Sequence, residues 1–164
     1  RSGAPVRSRR PRPQQPQPGR RVELWANAWR RVIAHCLRMD SESGWLQEFR
    51  KVFPDRELKE LPIEHPIFHC VFDLHEKPQV PAMHDAIRGR EEGITWEWRK
   101  AGSETVQYKG LFDDHGRMMC IVCFNTDLGD GWEREGEDPW YFKEFSEKKA
   151  YPLGINIVFY AMTH

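Results

Sequence analysis

The chain has 164 residues, enough for one domain with a buried core, and its 25 basic and 25 acidic residues cancel. Neutrality conceals an uneven distribution: residues 1–40 hold ten arginines against Glu23 and Asp40, a balance of +8, so residues 41–164 carry −8. Mean hydropathy is −0.75, and no stretch reaches the roughly 20 apolar residues of a membrane span or contains a signal-peptide apolar core.

Residues 1–21 are rich in Arg, Pro and Gln and almost devoid of large apolar side chains. Such a segment buries too little surface to offset its ordering entropy and is expected to be disordered or polyproline-like. Its arginines suit a polyanion, yet it has no aromatic side chain to stack on bases, so nucleic acid is not the expected partner. Over residues 22–37, Leu24, Trp25, Ala28, Trp29, Val32, Ile33 and Cys36 recur at helical spacing with arginines opposite, which predicts an amphipathic helix. A second helix is expected from Ser43, with Trp45, Leu46, Phe49 and Val52 on one face and Pro54 ending it.

In residues 61–74 the two prolines make the first half irregular, with Pro66 opening a single helical turn, and residues 70–74 read as a strand. Residues 76–93 read as a polar, mobile connection. Residues 105–112 and 117–124 predict a hairpin across Asp113-Asp114-His115-Gly116, where Asp early and Gly late are turn chemistry. Residues 139–149 look helical, with Trp140, Phe142 and Phe145 apolar. Residues 153–162 are apolar almost all round and predict a buried helix with Pro152 in its first turn.

The cysteines are Cys36, Cys70, Cys120 and Cys123. Cys120 and Cys123 form a C-x-x-C inside a strand pattern, where an odd offset sends the side chains to opposite faces. A redox pair instead needs a loop entering a helix N-terminus, so these thiols read as small buried hydrophobes. No second pair of soft ligands stands at zinc spacing, and no Walker loop or dinucleotide fingerprint occurs. No cofactor and no metal is assigned.

The place to look for function is the acidic, glycine-punctuated loop of residues 125–136, directly after the apolar run 118–124. In open α/β sheets, ligands sit beyond the carboxyl ends of the strands. Asn125, Thr126, Asp127, Asp130, Trp132 and Glu133 are the candidate binding residues there, joined by His65 and His69. Asp127, Asp130 and Glu133 lie three apart on a loop with Gly129 and Gly131, oxygen ligands of the kind a hard cation takes, but without the spacing of a calcium loop. In the competing reading Asn125, Thr126 and Asp127 cap neighbouring N–H groups while the glutamates face water. His65 and His69 are four apart, but Pro66 between them disfavours a regular helix that would aim both at one metal.

The stretches Val52-Phe53-Pro54, Leu61-Pro62-Ile63-Glu64-His65-Pro66-Ile67-Phe68, residues 125–136 and residues 144–164 closely resemble the bacterial family called domain of unknown function 4159. The resemblance runs from about Trp45 to His164 and carries long, composition-specific motifs. It implies an α/β fold, a layered flavodoxin-like (class I glutamine amidotransferase-like) sheet with flanking helices. It also implies a setting in larger envelope-associated bacterial proteins, whose other envelope or membrane proteins are the expected partners. Before Trp45 the chain departs from the family pattern, so an N-terminally truncated domain is expected. The organisation is then a tail at 1–21, a helical segment at 22–44 and a partial α/β domain at 45–164.

Amidotransferase-like enzymes place a nucleophile on a strained elbow, and neither G-x-C-x-G nor G-x-S-x-G occurs. The expected role is therefore a non-catalytic binding or scaffold module. The alternative is a hydrolase or amidase-like enzyme using the loop after residue 124, with His65 or His69 as base and Asp127 as orienter.

Overall fold

The computed structural model describes residues 34–37 as backbone, and residues 47, 49–96 and 102–164 in full. The arm at 1–21, residues 22–33 of the expected helix, and Ser43, Trp45 and Leu46 of the second lie outside the described residues.

Strands β1 (Ala34–Leu37), β2 (Lys59–Glu60), β3 (Gln107–Phe112) and β4 (Met118–Phe124) form one sheet in the order β1-β4-β3-β2. β2, β3 and β4 are antiparallel neighbours, and β1 pairs with β4 in parallel. With helices packed on this sheet the architecture is α/β. The expected helix through residue 37 is corrected at its end, since Ala34–Leu37 is a strand. Pairing with β4 from Ile121 to Phe124 overrides a local helical spacing of apolar residues.

The β3–β4 hairpin forms where expected. Asp113 closes it, its Oδ1 accepting from the backbone N–H groups of His115 and Arg117 at 2.9 Å each. Gly116 supplies the left-handed turn residue at φ 76°. Along β4 the side chains alternate: Ile121 and Cys123 enter the main core, while Val122 and Phe124 pack with Cys120 on the other face. Cys120 and Cys123 thus face opposite ways, as their offset predicts. The register skips Met119, which returns Met118 to the main-core side.

Helices α1 (Met83–Arg88) and α2 (Leu128–Glu133) are short. Residues 139–163 form a continuous helical run through α3 (Pro139–Tyr141), a π-helical stretch (Phe142–Ala150) and α4 (Tyr151–Thr163). Asp138 starts it by accepting from Tyr141 N–H at 2.7 Å. α2 and the π-helical stretch meet at Gly131, where an added Cβ would lie 2.5 Å from Ala150 Cβ. Glycine is the only residue that allows this approach.

Four further expectations are corrected. α4 buries Leu153, Asn156, Ile157 and Tyr160 but leaves Ile155, Val158, Phe159 and Met162 exposed, because described structure packs on one side of it only. Pro66–Phe68 is the expected helical turn, here 3-10, but residues 70–74 are not a strand. The Asn156 side chain takes up their backbone instead: its Oδ1 accepts from Val71 and Phe72 N–H at 3.1 and 2.8 Å, and its Nδ2 donates to Phe72 O at 2.8 Å. Residues 76–93 are not simply a polar connection, since Val80, Ala82, Met83 and Ala86 are core residues. Finally, residues 49–52 are helical and end before Pro54, yet only Phe49 is buried and Val52 is exposed.

Candidate functional site

The loop after β4 folds back on residues 78–83, and four of the eight candidate residues, Asn125, Thr126, Asp127 and Asp130, contribute to that junction. Asn125 adopts φ 58°, a left-handed conformation that asparagine tolerates better than most residues. This reversal lets its buried Nδ2 donate to Gly102 O at 3.0 Å and Thr105 O at 2.8 Å. Its own carbonyl accepts from Gln79 Nε2 at 3.0 Å, and the same amide nitrogen donates to Ser103 O at 2.7 Å.

Thr126 is buried and its Oγ1 accepts from Val80 N–H at 2.9 Å. One residue on, Asp127 N–H donates to Val80 O at 2.6 Å, so both polar groups of the Val80 backbone are held as a strand partner would hold them. Asp127 Oδ1 then accepts from Asp130 N–H at 3.0 Å and caps α2. Asp130, in the first turn of α2, reaches across to accept from Met83 N–H at 2.8 Å, which ties α2 to the start of α1. Its other oxygen faces Arg134 Nε at 3.3 Å.

Two buried tyrosines complete the hold on the segment. Tyr108 OH donates to Pro78 O at 2.6 Å, and Tyr141 OH donates to Pro81 O at 2.9 Å. Burial pushes the Tyr141 hydroxyl well above its ordinary pKa, and the Asp130 and Asp127 charges push the same way. It stays a neutral donor. Trp132 donates from Nε1 to Ala150 O at 2.8 Å and lies against Gly154, where an added Cβ would meet its indole at 3.0 Å. Glu133 is exposed.

The two histidines stand elsewhere. His65 precedes the 3-10 turn, where its Nδ1 accepts from Ile67 N–H at 3.2 Å and so carries no proton. Its ring packs near Phe112 and Tyr160, at centroid distances of 6.3 and 5.5 Å. Phe112 pairs with Met118 at the start of β4, while Asn125 follows the end of β4, which pairs with Gln107. Six residues of strand separate the two ends, roughly 20 Å at the usual rise. His69 has both ring nitrogens engaged, Nδ1 with Asp73 at 2.5 Å and Nε2 with Ile63 O at 2.7 Å. The Asp73 carboxylate raises the His69 pKa, whereas burial, aided by His164, lowers that of His65.

The structure thus brings Asn125, Thr126, Asp127 and Asp130 together and leaves His65 and His69 apart from them. Cys120 does not join them, as it faces away from the main core and burial pushes its thiol up to about 11. Among the described residues, no group of three or more His, Cys, Asp or Glu side chains is placed to hold a metal ion. No helix among them is long and apolar enough to cross a membrane. The residues that sequence reasoning missed are Gln79, Val80, Met83, Tyr108 and Tyr141. For the segment 78–83 the local signal is the apolar set Val80, Ala82 and Met83 beside Pro78 and Pro81.

A family model described as Domain of unknown function (DUF4159) matches residues 30–162. The match starts upstream of Trp45, so the expected departure before that residue is corrected: residues 30–44, with strand β1, lie within it. No curated protein and no solved structure matches the chain.

Proposed function

Because the chain belongs to the family described as Domain of unknown function (DUF4159), a description that assigns no reaction, we propose that it acts as a non-catalytic α/β binding or scaffold module. One observation carries this reading. Beyond the carboxyl end of β4, where an α/β protein would take a ligand, Thr126, Asp127 and Asp130 instead hold the backbone of the chain's own Val80 and Met83. A ligand there would first have to displace the Val80 backbone from Thr126 and Asp127.

The hydrolase reading needs His65 or His69, Asp127 and a nucleophile in one pocket. The roughly 20 Å of strand between the ends where His65 and Asn125 stand weighs against it. We place the module, as the resemblance of its motifs implies, among layered flavodoxin-like (class I glutamine amidotransferase-like) domains. Its proposed setting is a larger envelope-associated bacterial protein, with other envelope or membrane proteins as partners.

Two measurements test this. The full chain, assayed on a panel of activated esters and amides, is expected to give no turnover above the blank. Turnover abolished by His65→Asn or Asp127→Asn, in variants that keep the wild-type melting curve, would overturn the reading. Immobilised full-length chain is expected to retain specific proteins from a bacterial envelope fraction, and recovery of none would count against the scaffold role.

A further inference from the structure

His69, at the end of the 3-10 turn, has both ring nitrogens taken by acceptors. Nδ1 lies 2.5 Å from Asp73 Oδ1, and Nε2 lies 2.7 Å from Ile63 O. A carbonyl oxygen and an ionised carboxylate can only accept, whereas a neutral imidazole has one N–H to give and one lone pair. Both contacts are therefore made together only by the doubly protonated ring. Asp73 keeps its charge, because the hydrogen bond from His69 lowers its pKa, so the extra proton belongs to the imidazole.

The ring thus ties the backbone of Ile63 to the side chain of Asp73, and among the described residues no other donor reaches Ile63 O. Next to this tie stand Val71 and Phe72, 49% and 40% exposed, whose backbone N–H groups donate to the buried Asn156, and Leu74, whose N–H donates to Phe68 O at 2.9 Å. Of the charges near the ring, Asp73 and Glu64 both favour the cation. His75 Nε2 stands 3.9 Å from Asp73 Oδ2, beyond hydrogen-bond reach. α4 packs against the turn but carries no charged side chain. Its Tyr160 lies beside His65 and stacks on His164, and the Cys70 thiol donates to Asn156 O at 3.2 Å.

We propose that His69 is a pH-operated clasp on residues 63–73, closed while its cationic ring bridges Ile63 O and Asp73 and opened when the ring loses a proton and must release one of them. The lone pair left on the neutral ring faces an acceptor, either the carbonyl or the carboxylate, and gives it no hydrogen bond. The Asp73 hydrogen bond raises the His69 pKa above 6.5, so the clasp is closed below 6.5 and opens as pH rises through that raised value. Both partners are exposed to solvent, so opening is a local event and not an unfolding of the domain. What the clasp governs is the presentation of Val71 and Phe72, held in one geometry when it is closed and loosened when it is open. It is independent of the proposed scaffold role.

Amide hydrogen exchange of the full chain at pH 5.5 and pH 9, each rate divided by that of the unfolded sequence at the same pH, tests it. Protection of the Val71, Phe72 and Leu74 amides is expected to be at least about threefold lower at pH 9, while the amides of β3 and β4 keep theirs. Asp73→Asn offers an amide N–H to the lone pair of a neutral ring, so it is expected to hold the clasp closed at both pH values and to remove the difference. His69→Ala, at an exposed position, is expected to leave protection low at both. Equal protection of the wild type at the two pH values overturns the proposal, as does a fall that Asp73→Asn or His69→Ala leaves in place. A parallel fall in β3 and β4 would mean that the whole domain loosens, and would likewise overturn it.

Discussion

Asn156 holds Phe72 by both of its peptide groups, accepting from its N–H at 2.8 Å and donating to its C=O at 2.8 Å. One buried side chain on α4 thus does for residues 71 and 72 what a neighbouring strand would do. The relationship explains why Cys70, Val71 and Phe72 remain irregular despite apolar residues typical of a strand. It also fixes Val71 and Phe72, both exposed, against α4 through their backbone.

Asn156→Ala is expected to lower stability by about 2–3 kcal/mol, since it leaves two amide donors and one carbonyl short of partners in a partly buried place. Urea denaturation followed by tryptophan fluorescence measures this. A loss below about 0.5 kcal/mol would mean that water replaces the amide at no cost.

The parts of this fold legible in the sequence are those held by local chemistry. The hairpin is set by Asp113 and Gly116 at its turn, the 3-10 turn by Pro66, and the start of the C-terminal helical run by Asp138 and Pro139. The illegible parts are held at a distance. Val80 is bound by Thr126 and Met83 by Asp130, 46 and 47 residues on, and nothing near Val80 announces a partner. Residues 76–93 therefore read as a loose connection. The position of the loop after β4 was legible for the same local reason as the hairpin, but its carboxylates look alike in sequence whether they bind a ligand or cap the chain's own N–H groups. Apolar composition, likewise, predicted a buried α4 because hydropathy does not record whether a partner lies on each face.

The Asp127–Asp130 pair is expected to behave as a structural unit. Asp127→Ala removes a helix cap and should cost about 1 kcal/mol. Asp130→Ala frees Met83 N–H and loosens Arg134, and should cost about 1–3 kcal/mol. Because both act on the first turn of α2, the double variant should cost less than the two single losses added together. Strict additivity in a denaturation cycle would show that the two carboxylates work independently.

Gly131 tests the contact between α2 and the π-helical stretch. An added Cβ would stand 2.5 Å from Ala150 Cβ and 3.2 Å from Val80 Cγ1, too close without movement of two elements. Gly131→Ala is expected to destabilise by about 1–3 kcal/mol. Ala150→Gly removes the opposing methyl, itself at about 1 kcal/mol as a helix-interior glycine. The double variant should recover at least about 1 kcal/mol relative to the summed single effects. Absence of coupling would place the strain elsewhere.

Thiol labelling tests the burial of β4. With its pKa pushed up to about 11 by burial, Cys120 is almost wholly protonated at pH 8, and Cys123 is fully buried. Burial raises the Cys70 thiol as well. Iodoacetamide labelling read by peptide mass spectrometry is expected to spare Cys120 and Cys123 in the native protein and to reach both in urea. Native labelling of Cys120 at the rate of the unfolded chain would contradict the packing of that face.

The two candidate histidines should titrate on opposite sides of the ordinary value of 6.5. Burial lowers His65, and the neighbouring His164 adds to that, so protonation opposes folding. Its contribution to stability is complete above 6.5 and is lost as pH falls below that value. For His69, hydrogen bonding to Asp73 raises the pKa, so its contribution is complete below 6.5 and is lost as pH rises through the folded-state pKa. Imidazole NMR titration should separate the two midpoints in that order. His65→Asn keeps an acceptor for Ile67 N–H but no titrating ring, so its melting temperature should fall less between pH 7 and pH 5.5 than that of the wild type. An unchanged slope, or coincident midpoints, would mean that the His65 ring is as well hydrated folded as unfolded, and the packing of His65 against Tyr160 and Phe112 would have to be withdrawn.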